Sequence, residues 1–221
     1  MTRLRRPLTV YFYRDLLCTW CHVAELRLAS VRAEFGDLID WRVRPYALRV
    51  DEAVPSARDL RAWMGGLRRA RREPEGKALS SEIWMSNDPP RSSIAPLAAV
   101  EAAALQGREA ADRLAQVLRR AGLEQGLNIT RSDVVLELAS GIGLEMNRFT
   151  AAWQSPQTRR LILEEHRLAS ARGVSRVPTL VIGGRWMLSG LKQAEEYRQH
   201  LLDCLQKLAS SPFRARDNTV H

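Results

Sequence analysis

The chain has 221 residues, 45% hydrophobic and 27% charged, with a formal net charge of +9 carried almost entirely by arginine. That is long enough for a real core, as one domain or as one domain with a large insertion, and the composition is that of a globular chain. It excludes a membrane span, which needs roughly 18 consecutive apolar residues, and three cysteines exclude a disulfide framework.

The start, Met1 to Pro7, is basic, and the run after it is short and has no small-residue cleavage site. This does not read as an export signal, so a reducing, cytoplasmic setting is expected. The densest charge run is Arg68, Arg69, Arg71 and Arg72. No aromatic interleaving accompanies it, so a solvated helix face or loop is expected and a nucleic-acid partner is not.

In chain order, Leu8, Val10 and Phe12 alternate with Thr9, Tyr11 and Tyr13, a strand pattern. From Cys18 the period changes: Cys21, Ala24, Leu28, Val31 and Phe35 share one helical face, and Gly36 is a natural stop. Ile39, Trp41 and Val43 alternate into a second strand ended by Pro45. Residues 51–155 contain no strand pattern; helices are expected near 56–72, 94–106, 108–122 and 132–140. Ser155-Pro156 reads as an N-cap and first helical residue of a helix running to Arg172 and stopped by Gly173. Strands Thr179–Ile182 and Arg185–Ser189 flank Gly183-Gly184, a two-residue hairpin signal. A last helix carries Ala194, Tyr197, Leu201, Cys204 and Leu205 on one face, and the tail from Ser210 to His221 is polar.

Cys18-Thr-Trp-Cys21 lies where the first strand pattern turns into the first helix. Thiols at this spacing sit one turn apart and can close into a disulfide or open as a dithiol. Exchange needs a thiolate, and a free cysteine with a pKa of about 8.5 is mostly protonated near neutrality. A helix N-terminus favours the anion through its unpaired N–H groups and its dipole. Cys18 is therefore expected to be the nucleophile and Cys21 the resolving thiol. The competing reading, half of a zinc site, lacks partners, since only Cys204 and scattered histidines remain. No metal or dissociable cofactor is expected.

The segments Asp15–Cys21, Trp41–Leu48, Gly173–Gly184 and Leu188–Gly190, set in the order β-α-β, helices, α-β-β-α, resemble the DsbA-like thiol–disulfide oxidoreductases. Within that group the chain is most similar to the FrnE-like, polyketide-biosynthesis-type branch. The resemblance implies an α/β, thioredoxin-like fold with a large all-helical insertion. Residues 1–50 and 156–221 would form the discontinuous thioredoxin-like domain, and 51–155 the insertion. It also implies that Pro178 is cis and faces the cysteines, exposing the backbone of Val177 to a substrate peptide, with Trp20 on the apolar rim. Three positions depart from the pattern: Thr19 replaces the usual proline, Arg176 replaces a small residue, and the motif around Arg91-Ser-Ser93 is blurred.

Several roles stay open at this level. Arg176 either reaches the rim, to support the Cys18 thiolate or attract acidic substrates, or is simply solvated. Asp15 either handles a proton for Cys21 or ends the strand. His22 either favours a thiolate or is a surface histidine. Cys204, on an apolar face, is expected to be a core thiol.

The leading expectation is a dithiol–disulfide oxidoreductase acting on protein or small-molecule thiols and disulfides, with glutathione as a candidate co-substrate. One alternative is a glutathione-dependent isomerase or kappa-type glutathione transferase on the same fold. Another is a non-catalytic binding or chaperone module.

Overall fold

The computed structural model describes residues 7–210; the basic start before Pro7 and the tail beyond Ser210 lie outside it. Strand β1 (Leu8–Arg14) is the organising element. It buries Leu8, Val10 and Phe12 on one face, as the alternation requires. β2 (Ile39–Pro45) pairs parallel to it, with Leu8 opposite Ile39 and Arg14 opposite Pro45. β3 (Thr179–Ile182) pairs antiparallel on its other side, and β4 (Trp186–Ser189) closes the order β2-β1-β3-β4. Gly183 and Gly184 both have positive φ, 57° and 67°, the backbone that a tight two-residue hairpin demands. β4 starts one residue later than expected because Arg185 closes the turn, its N–H donating to the Ile182 carbonyl at 3.1 Å.

Helices α1 (Thr19–Phe35) and, at the far end of the chain, α9 (Ala194–Ser210) cover one face of this sheet. Their core joins Val10 and Phe12 to Leu28, Val31, Leu180, Tyr197 and Leu201. Cys204 lies in this core, as its apolar face implied.

Between β2 and β3 come α2 (Ala57–Ala70), α3 (Glu82–Met85), α4 (Ile94–Ala104), α5 (Arg108–Leu123), α6 (Ser132–Gly141), α7 (Met146–Trp153) and α8 (Pro156–Ala171). Ser155 caps α8 as expected, accepting from the Gln157 N–H. The short α3 and α7 escape sequence periodicity because neither offers more than two buried side chains to define a face. The helical core, built on Ile94, Leu114, Leu118 and Phe149, takes in Leu16 and Leu17 from the turn between β1 and α1. Among the described residues, no helix is long and apolar enough to cross a membrane.

One expectation about α1 was too narrow. Besides the anticipated stripe, it buries His22, Val23 and Arg27. Val23 packs with Leu67, Ala70, Leu79 and Leu123, so α1 is covered by helices on the side away from the sheet. Arg27 is satisfied there by a fork of carboxylates: Glu75 at 2.7 and 2.9 Å and Glu73 at 2.8 Å, with the Lys192 carbonyl at 2.9 Å. Glu73 and Glu75 are held in place by a short turn in which a Cβ at Gly76 would stand 1.9 Å from the Ala70 carbonyl oxygen. That oxygen is backbone and cannot step aside. Gly76→Ala is therefore expected to destabilise the protein by about 1–3 kcal/mol, the usual cost of overpacking, seen as a lowered urea midpoint with an unchanged slope.

Candidate active site

The site starts with a cap. After Arg14 the chain leaves the sheet through a turn braced by Asp15, whose carboxylate accepts the Leu17 N–H and the Leu48 N–H, each at 2.7 Å. This gives Asp15 a structural role, fastening the β1–α1 turn to the segment after β2. The turn delivers Cys18 to the N-cap of α1 with extended backbone, φ −87° and ψ 109°. Its sulfur accepts the Cys21 N–H at 3.2 Å, the bond a serine or aspartate cap would make. Both thiols are free; Cys18 is 6% exposed and Cys21 fully buried.

A distant segment completes the arrangement. The Val177–Pro178 peptide is cis. The Val177 carbonyl accepts from the Cys18 thiol at 3.8 Å, so the loop before β3 and the head of α1 meet at that sulfur. Cys18, Cys21 and Val177 share an apolar cluster with Tyr13, Tyr46, Val174 and Val181, distinct from the core under α9.

Two clefts flank this point, and Trp20 lines both. One, of about 300 Å³, exposes Cys18 and is walled by Trp20, Trp63 and Trp84 with Arg49 and Arg69. The other, of about 450 Å³, is lined by Trp20, Arg176, Val177, Pro178 and Glu73. All six site residues named from the sequence thus gather around one sulfur or its neighbouring loop. Arg176 is exposed at the rim of the second cleft.

Sequence reasoning missed the wall of the first cleft. Trp63 and Arg69 come from α2, Trp84 from α3, and Arg49 from the segment after β2, where its guanidinium sits 4.7 Å over the Trp63 ring. The readable hint was the Arg68–Arg72 run: its members are exposed, but Arg69 turns to the thiol cleft.

Charge is graded across the pair. Burial pushes the Cys21 thiol well up, and the Cys18 sulfur beside it adds to this through its hydrogen bond and charge. Burial also raises Asp15, against the opposing pull of Ser93, the Leu48 and Leu17 amides and Arg49. Asp15 acts on Cys21 both ways, its backbone hydrogen bond favouring the thiolate and its charge, more weakly, opposing it. His22 is not on the surface: it is 1% exposed, and burial together with the Arg119 charge lowers its pKa from 6.5 to about 4. It is neutral near pH 7, so its 3.5 Å approach to Glu124 is not an ion pair there, and it lends no positive charge to a thiolate.

Two outcomes follow from this gradient. Iodoacetamide is expected to modify Cys18 first, with Cys21 and Cys204 protected until the protein unfolds, as mass spectrometry of time points will show. His22 binds its proton more weakly folded than unfolded, so stability is full above about pH 6.5 and is lost as pH falls toward 4. The loss amounts to about 2–3 kcal/mol, and urea titrations of wild type and His22→Gln at pH 7 and pH 4.5 should show it only in the wild type.

The sequence profile of the DSBA-like thioredoxin domain matches residues 9–202. A curated relative, the ClpXP adapter protein SpxH of Halalkalibacterium halodurans, is 26% identical over 204 residues, covering 89% of this chain and 66% of that protein. The chain therefore spans just under two thirds of that relative's length. Two solved structures share the fold: a probable DsbA oxidoreductase from Streptomyces coelicolor, TM-score 0.79 at 20% identity over 96% of this chain and 94% of that one; and the cytosolic disulfide reductase DsbM from Pseudomonas aeruginosa with GSH, TM-score 0.66 at 24% identity over 92% and 98%. With a profile running from β1 into α9, across both the cysteine pair and the cis-proline loop, the chain belongs to the DSBA-like thioredoxin domain family.

Proposed function

We propose that this protein is a thiol–disulfide oxidoreductase that exchanges a Cys18–Cys21 dithiol/disulfide with protein or small-molecule thiols. The observation carrying this reading is the Cys18 sulfur at the N-cap of α1, bonded to the Cys21 N–H and facing the Val177 carbonyl. In the reductive direction the Cys18 thiolate attacks a substrate disulfide, R–S–S–R. A Cys18–S–S–R bond forms and one RS⁻ leaves. Cys21, as thiolate, then attacks the Cys18 sulfur and expels the second RS⁻, so the pair ends as a disulfide and two electrons have passed to the substrate. Oxidation of a substrate dithiol runs the same steps backwards.

The charge gradient orders these steps. While Cys18 is a thiol or thiolate, its hydrogen bond and charge help hold Cys21 protonated. Once Cys18 is tied up in the mixed disulfide that charge is gone, and Cys21 ionises more readily when its thiolate is needed. No dissociable cofactor enters. Val177 and Pro178 offer a peptide backbone to polypeptide substrates, with Trp20 as the shared apolar wall. The cleft with Arg49 and Arg69 suits a small anionic thiol, and the glutathione held by DsbM supports glutathione as a co-substrate. Arg176 presents a cation to acidic groups on the other side. In this reading 1–50 and 156–221 act as the thioredoxin-like domain, and 51–155 as an insertion that roofs Cys18. The cytosolic setting named for DsbM supports a cytoplasmic location.

The presence of both Cys18 and Cys21 disfavours the isomerase or transferase alternative, which needs a single activating group. The binding-module alternative draws on the adapter role in the name of the SpxH relative. One experiment separates them. Cys21→Ser should accumulate a Cys18-linked adduct with glutathione disulfide and lose turnover by at least about a hundredfold, while Cys18→Ser should be inactive. Full activity in Cys18→Ser would overturn the dithiol mechanism. Glutathione-dependent turnover surviving Cys21→Ala would favour the isomerase class, and partner binding indifferent to both cysteines would favour the adapter.

A further inference from the structure

A second cleft-and-charge arrangement lies away from the thiols. Arg14, at the end of β1, pairs with Glu25 of α1. Arg119 of α5 pairs with the same carboxylate at 2.6 Å. Arg32 of α1 lies over the Trp41 and Phe12 rings, at 4.9 and 5.5 Å. Arg14 and Arg119 are each only 4% exposed. Three guanidiniums therefore surround one glutamate, and an arginine does not neutralise itself by losing its proton. Two positive charges remain, and burial of unpaired charge is costly. Among the described residues, Arg32 Nε and Nη2, Arg119 Nε and Trp41 Nε1 are buried donors with no hydrogen-bond partner.

Of this cluster, Arg14 lines a cleft of about 490 Å³ between β2 and the α4–α5 pair, together with Trp41, the ring on which Arg32 lies. Arg108, at the start of α5, stands at its rim and donates to the Trp41 carbonyl at 2.6 Å. The opposite wall is apolar, from Leu97, Val100 and Ala104. The carboxylates lining the cleft compensate this charge only in part, Asp112 by supporting the Arg32 cation. Asp40 is held by Arg42 at 2.7 Å, and Asp112 is more than half exposed, 3.9 Å from Arg108. Burial and the neighbouring Glu165 push Glu101 toward its neutral acid, while Arg44 opposes them.

We propose that this cleft binds a small molecule with a dianionic oxyanion head on a compact apolar body, the head meeting Arg14, Arg108 and the unpartnered Trp41 Nε1 under the positive charge of the buried cluster, and the body lying on α4. Guanidinium forks match such heads with two parallel hydrogen bonds. The electrostatic surroundings agree: burial lowers both Arg32 and Arg119, Glu25 opposes it, and the neighbouring arginines add to the lowering. Burial and the Arg119 charge keep His22 neutral.

Phenyl phosphate serves as the probe, with benzyl alcohol as the neutral control, titrated calorimetrically into the full chain. Saturable one-to-one binding of phenyl phosphate is expected, tighter than inorganic phosphate, with none for benzyl alcohol. Ala104→Glu places a carboxylate at the exposed end of α4 and is expected to weaken binding by about tenfold or more through like-charge repulsion; Arg108→Gln should weaken it as well. Circular dichroism confirms that both variants are folded. Absence of saturable binding up to about 10 mM, far weaker than the range of specific small-ligand sites, would overturn the proposal. So would equal binding of benzyl alcohol, or affinity unchanged in both variants.

Discussion

A sulfur that serves as a helix cap is the constraint on which the site rests. Helices leave their first N–H groups without internal partners, and here one of them donates to the Cys18 sulfur from Cys21 itself. An acceptor at such a position binds the helix end more firmly the more negative charge it carries. Everything nearby holds that geometry. Asp15 fixes the incoming turn through two backbone bonds, the Val177 carbonyl meets the sulfur from across the sheet, and Leu16 and Leu17 sink the turn into the helical core.

The inserted helices change the character of α1. In a simple two-layer arrangement its outer side would face water. Here that side is roofed, and two of its charged residues find partners there: Arg27 with Glu73 and Glu75, Glu25 with Arg14 and Arg119. The charges of these arginines outweigh the burial that would push Glu25 up, and hold it below the usual carboxylate range. The roof also makes the thiol cleft. Without α2 and α3 there would be no Trp63, Arg69 or Trp84 beside Cys18. The fold supplies the Cys18 sulfur and the insertion supplies its surroundings.

The legible part of this structure is the part whose signals are local. β1 and β2 could be read because their alternation is unbroken, the hairpin because two glycines follow each other, and the helix stops because Gly36 and Gly173 end them. The position of Cys18 at a strand-to-helix switch was equally local. The cis proline was legible only through resemblance, since nothing around Val177 signals it. What stayed hidden depends on contacts between segments far apart in the chain. His22 and Arg27 look like surface residues in a helical wheel, and their burial follows from α2, α5 and the turn after α2. The tryptophan and arginine wall of the thiol cleft is hidden for the same reason: α2 reads as an arginine-rich amphipathic helix, and only its docking tells which arginine turns inward.

Trp20 has a consequence of its own. One indole forms a partition between a small enclosed chamber on the Arg69 side and the more open furrow along Pro178. Its Nε1 lies 3.7 Å from where a Cβ at Gly66 would stand, so the glycine leaves a methyl-sized space between the ring and α2. A bulky guest that displaces it in either compartment narrows the other. Cys18 lines the Arg69-side cleft and not the furrow, so whatever fills the furrow bears on the sulfur's surroundings through this one ring.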